Sequence, residues 1–360
     1  MVLRSAGESV VPRRGRMTAR QLAVWWVAWL AVACLVATAA GPGLAASGFP
    51  VTLSDDLGRR VSLAGPPQRV VSLLPSNTEI LFAVGAGPQV VGVTDFCDYP
   101  PQVRGLARVG GIVPGSLSLE RVVSLAPDLV LSGGRLQQPV IEALERLGIP
   151  VFALEPRTIE GVYDNIRRVG RLTGHVEQAE AVVQAMQRRL EAVRRAVADL
   201  APQQRVRVFY EVWDNPLMTA GPGTFIGQLI ELAGGINVFG DLRQDWPQVS
   251  LEELVRRNPD VILGPATRGS ALVLDELRRR PGWQDLRAVQ SGRVHLLEDN
   301  LVSRPGPRLV EGLEQVARAL YPHRFPSPAP GALGSGEPAA GAEGSQTSRP
   351  DPAAAGGSGP

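Results

Sequence analysis

At 360 residues the chain is long enough for two domains, and 44% hydrophobic with 20% charged residues is the make-up of a folded α/β protein. Thirty-seven basic residues against 35 acidic ones leave a net charge of +2, which gives no electrostatic case for binding nucleic acid. All the basic residues are arginines, so lysine chemistry is excluded, whether a Schiff base or a phosphate-loop lysine.

Residues 1–46 read as a signal peptide or N-terminal membrane anchor. Arg13, Arg14, Arg16 and Arg20 precede an uncharged apolar stretch over residues 22–40, and small residues around Ala39 and Ala45 offer cleavage points. If kept, a stretch of about 19 residues is long enough to span a bilayer. The expected location is therefore the periplasm or the outer face of the cytoplasmic membrane. Cys34 lies inside the stretch. Its removal would leave Cys97 alone, so no structural disulfide is expected.

Residues 47–158 form an N-terminal α/β lobe. A hairpin is expected over 49–63, turning at Ser54-Asp55-Asp56-Leu57-Gly58. Val70-Val71-Ser72-Leu73-Leu74, Val90-Val91-Gly92-Val93 and Val151-Phe152-Ala153 read as strands, the first of them buried. Helical patterns separate them, which implies parallel strands with crossover helices. Ligands of such sheets sit beyond the carboxyl ends of the strands. That rule lines up Ser76, Asn77, Phe96, Tyr99, Ile112 and Arg135 along one rim.

Residues 159–201 space helically and read as a long connecting helix, with Gly170 and Gly174 as possible interruptions. Residues 202–325 form a second α/β lobe. It opens on a strand over 205–212, then a loop over 213–223 that holds Trp213, then a helix capped by Thr224. A loop over 241–248 carries Trp246. A helix over 272–277 and a strand over 293–297 follow, then a loop over 298–307 holding Arg304 and an amphipathic helix over 308–320. Residues 326–360 are Pro, Ala, Gly and Ser without period, a disordered low-complexity tail.

One phrase occurs twice. Ser118-Leu119-Glu120-Arg121-Val122-Val123-Ser124-Leu125-Ala126-Pro127-Asp128-Leu129-Val130-Leu131 matches Ser250-Leu251-Glu252-Glu253-Leu254-Val255-Arg256-Arg257-Asn258-Pro259-Asp260-Val261-Ile262-Leu263 at seven of fourteen positions. The offset is too long for a solenoid, whose periods are about 20–50 residues. It implies two lobes on one plan. In each copy a serine caps a short helix, Pro-Asp breaks it, and a buried strand follows. Ser250 with Glu253 reads as a capping box, whereas Ser118 faces Arg121 and lacks one. The acids common to both copies are Glu120 and Glu252. They suit the helix dipole, and as a matched pair they also suit docking onto a two-fold partner that offers arginines.

No catalytic constellation is present. The three histidines are scattered, there is no nucleophile elbow, and the paired glycines lack phosphate-loop spacing. No enzyme activity, cofactor or metal site is expected. What remains is a small-molecule pocket between the lobes, walled by Phe96, Tyr99, Trp213 and Trp246 with a few polar guides. Arg135 and Arg304 could reach a carboxylate or phosphate, although an arginine in such a loop is more often just a solvated charge.

Taken together, Arg69 to Glu79, Asp98-Tyr99-Pro100-Pro101, the twin phrase, Ala233-Gly234-Gly235 with Asn237, and Trp246-Pro247-Gln248-Val249-Ser250 resemble a family. It is the substrate-binding proteins of ABC importers for cobalamin, iron-siderophores or haem. The resemblance covers about residues 50–322 and is strongest to the vitamin B12-binding branch. It implies two α/β lobes, each with a mainly parallel sheet flanked by helices, joined by one long connecting helix. It implies a monomer that captures cobalamin or a related corrinoid and delivers it to an ABC permease dimer with its ATPase. Glu120 and Glu252 then dock to permease arginines, and Phe96 and Trp246 pack on the corrin. Gly110-Gly111-Ile112 lacks the Trp that some members carry there, which leaves open another corrinoid, an iron-siderophore or haem.

Overall fold

The structure, a computed structural model, describes residues 48–267 and 273–326. The expected leader, Cys34, and all but the first residue of the low-complexity tail lie outside the described residues. The chain divides into two compact units. The first runs through Gln187 and takes back Arg304–Pro307; the second holds Arg188–Ser303 and resumes at Arg308.

In the first unit β1 (Val51–Ser54) and β2 (Arg60–Leu63) form the expected antiparallel hairpin, with alternate residues buried. Its turn is an anchor. The buried Asp55 carboxylate accepts hydrogen bonds from the backbone N–H groups of Leu57, Arg59 and Ala153.

Five parallel strands follow: β3 (Val70–Ser72), β4 (Val90–Val93), β5 (Ala107–Arg108), β6 (Leu129–Ser132) and β7 (Val151–Ala153). Their order is β5-β4-β3-β6-β7. Every residue of β3, β6 and β7 is buried, which is why these segments are apolar but for the buried Ser72 and Ser132. The crossovers hold α1 (Pro75–Ala83), α2 (Leu119–Ser124) and α3 (Gln138–Arg146).

Two helices occupy the stretch expected as one connector, α4 (Ile159–Thr173) and α5 (Val176–Val197). Gly174 divides them at φ 81°, a left-handed conformation that glycine adopts without a Cβ penalty. Gly170 stays inside α4. The 22 residues of α5 span roughly 33 Å, and the boundary between the units falls within it.

The second unit contains β8 (Arg207–Asp214), β9 (Leu217–Thr219), α6 (Phe225–Leu232), β10 (Ile236–Asn237), α7 (Leu251–Arg257) and β11 (Val261–Pro265). After the undescribed residues 268–272 come α8 (Leu274–Arg279), α9 (Arg287–Gln290), β12 (Val294–Leu297), α10 (Asp299–Ser303) and α11 (Leu309–Leu320). The strand order β10-β8-β11-β12 is parallel. Phe209 packs edge-on against Phe239 and Trp283 in its core. Two stretches expected as loops are ordered differently. β8 continues to Asp214 and turns at Asn215-Pro216 into β9, which pairs antiparallel with it. The loop expected over 298–307 contains α10.

The repeated phrase builds the same junction in both units. Asp128 accepts a hydrogen bond from Arg69 N–H (2.9 Å), and Asp260 accepts one from Arg207 N–H (3.0 Å). The Arg69 and Arg207 side chains donate to Leu125 O (2.8 Å) and Arg257 O (2.7 Å), which are matched positions of the phrase. The next residue in each copy, Ala126 or Asn258, has positive φ, 45° and 42°. Val122 and Leu254 are the fully buried anchors of the two short helices.

The left-handed conformation costs a Cβ-bearing residue roughly 1–2 kcal/mol, less for Asn, whose side chain bonds locally. Ala126→Asn copies the other unit at an exposed position, so it should raise stability by about 0.5–1 kcal/mol in urea unfolding. A fall in stability would show that residue 126 does not hold this conformation.

Candidate functional site

The rim residues of the first unit divide into buried and exposed sets. Ser76 and Asn77 lie in the first turn of α1, both buried. Asn77 Nδ2 donates to Ser132 O at 3.0 Å, tying α1 to the end of β6. Its amide serves the framework, not the solvent side of the rim. Phe96 (57% exposed) and Tyr99 (41%) project from the loop after β4, and Ile112 is half-buried. Arg135 is exposed, and its backbone N–H donates to Glu155.

Gln137, fully buried, holds this rim together. Its side chain donates to Leu73 O (3.0 Å) and Ile112 O (2.8 Å) and accepts from Gly133 N–H (2.8 Å). One amide thus joins the loops that follow β3, β5 and β6. Nothing in the sequence marks it, because a lone glutamine before a helix has no spacing signature.

In the second unit Trp213 (51% exposed) and Trp246 (49%) lie on chain segments that flank β9. Trp213 is near the end of β8, and its Nε1 donates to Asn215 O at 2.8 Å. The loop that carries Trp246 runs alongside β9. Thr219 N–H donates to Pro247 O, Val249 N–H to Leu217 O, and Gly221 N–H to Asp245 O. At Gly221 a Cβ would meet the Gln244 carbonyl oxygen at 1.9 Å, so only glycine permits this approach. Both tryptophans are therefore exposed on braced backbone.

Arg304 sits in the return segment of the first unit. Its guanidinium is engaged by Glu79 and Asp98 rather than free to reach a ligand anion.

Glu120 and Glu252 are exposed in the first turns of α2 and α7. Among the described residues neither forms an ion pair; Glu120 accepts a hydrogen bond from Ser118 Oγ at 3.1 Å. Both serines cap as expected, Ser118 accepting from Arg121 N–H and Ser250 from Glu253 N–H. The capping box at Ser250 is only half made. The Glu253 carboxylate is turned instead to Arg256 (2.5 Å) and Arg257 (2.6 Å), and Arg257 also binds Asp241 and lies over the Phe239 ring. Charged guanidinium donors on the same helix are stronger partners for the carboxylate than one backbone N–H.

Among the described residues no group of three or more His, Cys, Asp or Glu could hold a metal. Burial, aided by Arg293, pushes the His295 imidazole below its ordinary value. What is presented outward is an exposed aromatic pair on each unit and one unpaired acid on each copy of the phrase.

The chain belongs to the periplasmic binding protein family, whose model matches residues 70–301. A cobalamin-binding protein of Halobacterium salinarum is 35% identical over 281 residues, 77% of this chain and 75% of that one. An ABC transporter substrate-binding lipoprotein of Bacillus subtilis is 33% identical over 282 residues, 77% of this chain and 87% of that one. Among solved structures, a periplasmic heme-binding protein from Roseiflexus sp. RS-1 superposes with a TM-score of 0.63 at 27% identity, over 71% of this chain and 99% of that one. The protein is an extracytoplasmic, non-enzymatic substrate-binding component of an ABC importer, in the class that takes cobalamin, haem and iron chelates. No helix among the described residues is long and apolar enough to cross a membrane.

Hydrogen bonds from Arg256 and Arg257 pull the Glu253 carboxyl down to about 2. A folded value below the ordinary one means that this stabilisation is present above the usual glutamate range and is lost as pH falls through about 2. Carboxyl-carbon NMR should show Glu253 still ionised at about pH 4, where ordinary glutamates are half protonated. A midpoint in the ordinary range would show that the arginine pairs are not formed.

Proposed function

We propose that the protein captures cobalamin or a related corrinoid and delivers it to its ABC permease dimer. The observation that carries this reading is the exposed aromatic pair on each unit, Phe96 with Tyr99 and Trp213 with Trp246, each set on a backbone held by hydrogen bonds. A corrin offers a broad apolar macrocycle fringed with neutral amides, which aromatic faces and a few polar groups suit. A ferric chelate of net negative charge would call instead for several free arginines, and of the two candidates Arg304 is already engaged, which leaves Arg135. The cobalamin-binding relative agrees with this choice. Ser76, Asn77, Ile112 and Arg135 then frame the loops from which ligand is held. Haem is the second reading, favoured by Tyr99, an exposed tyrosine on the rim that could serve as an axial oxygen ligand.

Glu120 and Glu252 dock with arginines at two equivalent places on the permease, since arginine takes a carboxylate bidentately. The protein acts as a monomer with lobes at 47–158 and 202–325. Residues 1–46 direct export and are then cleaved or kept as an anchor.

Purified protein titrated with cyanocobalamin, cobinamide, haem and a ferric hydroxamate, followed by calorimetry and co-elution, decides the ligand. Corrinoid binding at micromolar or lower concentration is expected; binding of haem or hydroxamate alone overturns the reading. Phe96→Ala or Trp246→Ala should weaken cobalamin about 30-fold, the equivalent of roughly 2 kcal/mol for a buried aromatic anchor. Glu120→Ala with Glu252→Ala should leave affinity unchanged while uptake into permease-bearing liposomes falls about tenfold or more. Loss of affinity in that variant would assign the acids to the ligand or the fold.

A further inference from the structure

We infer that Arg304 is a positioning residue for the loop that presents Phe96 and Tyr99, acting through Asp98 and the Phe96 carbonyl and not through the ligand. This rests on the reading that the loop faces the ligand.

The guanidinium is 15% exposed and has three protein partners. Nη1 lies 3.3 Å from Glu79 Oε1 and 2.5 Å from Asp98 Oδ1. Nη2 lies 3.3 Å from Asp98 Oδ2 and 3.4 Å from Phe96 O. Glu79, on α1, is 2% exposed, and a carboxylate so buried needs a cation beside it. Asp98 is 56% exposed, and its carboxylate meets the same guanidinium. The arginine thus joins helix α1 to the loop.

A second arginine holds the same loop from the sheet. Arg108, on β5, donates to Thr94 O (2.8 Å), Cys97 O (2.9 Å) and Val103 O (3.2 Å). With Arg304 on Phe96 O, four carbonyls of residues 94–103 turn to guanidinium groups, while the Phe96 and Tyr99 rings are left exposed. Planar forks with fixed donor directions suit this use, and a lysine would supply only a point charge. Arg108 is close in sequence to the loop it holds. Arg304 is some 200 positions away and reaches the loop because Arg304–Pro307 belongs to the first unit.

The test pairs a ligand-free readout with a binding readout. Arg304→Met should raise amide hydrogen exchange at residues 95–99 about tenfold, with residues 250–263 unchanged. The same substitution should weaken cyanocobalamin about tenfold in the wild-type background, and by much less when Phe96 and Tyr99 are already alanine. Arg304→Lys should restore only part of either effect. Asp98→Asn, which leaves Glu79 paired, serves if Arg304→Met does not fold, and should loosen the same loop. Unchanged exchange at 95–99 in these variants overturns the clamp, whatever the ligand proves to be. Additive losses in the cycle overturn it too, because they mean that Arg304 touches the ligand directly. If no corrinoid binds at all, the ligand reading fails while the exchange result still decides the clamp.

Discussion

In each unit one aspartate carboxylate fastens the start of a central strand to the end of a short helix, and much else follows from it. Asp128 and Asp260 each take the backbone N–H of an arginine, and that arginine's side chain reaches back to the last turn of the helix. A charged acceptor on backbone N–H groups is among the stronger hydrogen bonds available to a protein. It sets strand β6 against β3 and β11 against β8 in a fixed register. The direction in which Glu120 or Glu252 emerges is set by the same short helix. The acids are matched because the junctions beneath them are matched.

The presentation of the aromatics follows a different logic. Large rings left in solvent gain nothing from burial, so their placement has to be imposed by the backbone. In the first unit the loop carbonyls are taken up by Arg108 and Arg304, and Gln137 joins three neighbouring loops. In the second, strand β9 does the work by pairing with β8 on one side and the Trp246 loop on the other. Preorganisation of this kind lowers the ordering cost that binding must otherwise meet.

The sequence made most of the architecture legible because burial writes itself as periodicity. The runs Val70-Val71, Leu129-Val130-Leu131 and Val261-Ile262-Leu263 are strands buried on both faces, and Ser118, Ser250 and Thr224 cap where capping chemistry places them. Long-range polar bonds leave no such trace. Gln137 could not be told from any glutamine ahead of a helix. Nothing near Arg304 in the sequence showed that it is engaged, because its partners, Glu79 and Asp98, lie about 200 residues earlier. The capping box at Ser250 was plausible by spacing, yet Arg256 and Arg257 outbid a backbone N–H for Glu253. Strand β9 was hidden by Asn215-Pro216, whose turn chemistry made its surroundings look like continuous loop.

The return of Arg304–Pro307 to the first unit has a consequence for how the chain is made. Domains generally fold in order of synthesis, the N-terminal one first. Here the unit that leaves the ribosome first lacks four of its residues until most of the second has followed. Until then Glu79 and the loop around Phe96 lack the Arg304 guanidinium, while Arg108 already holds the loop from the sheet side. The first lobe to begin is completed only after most of the second has been made, and its final piece arrives at the loop with the exposed rings.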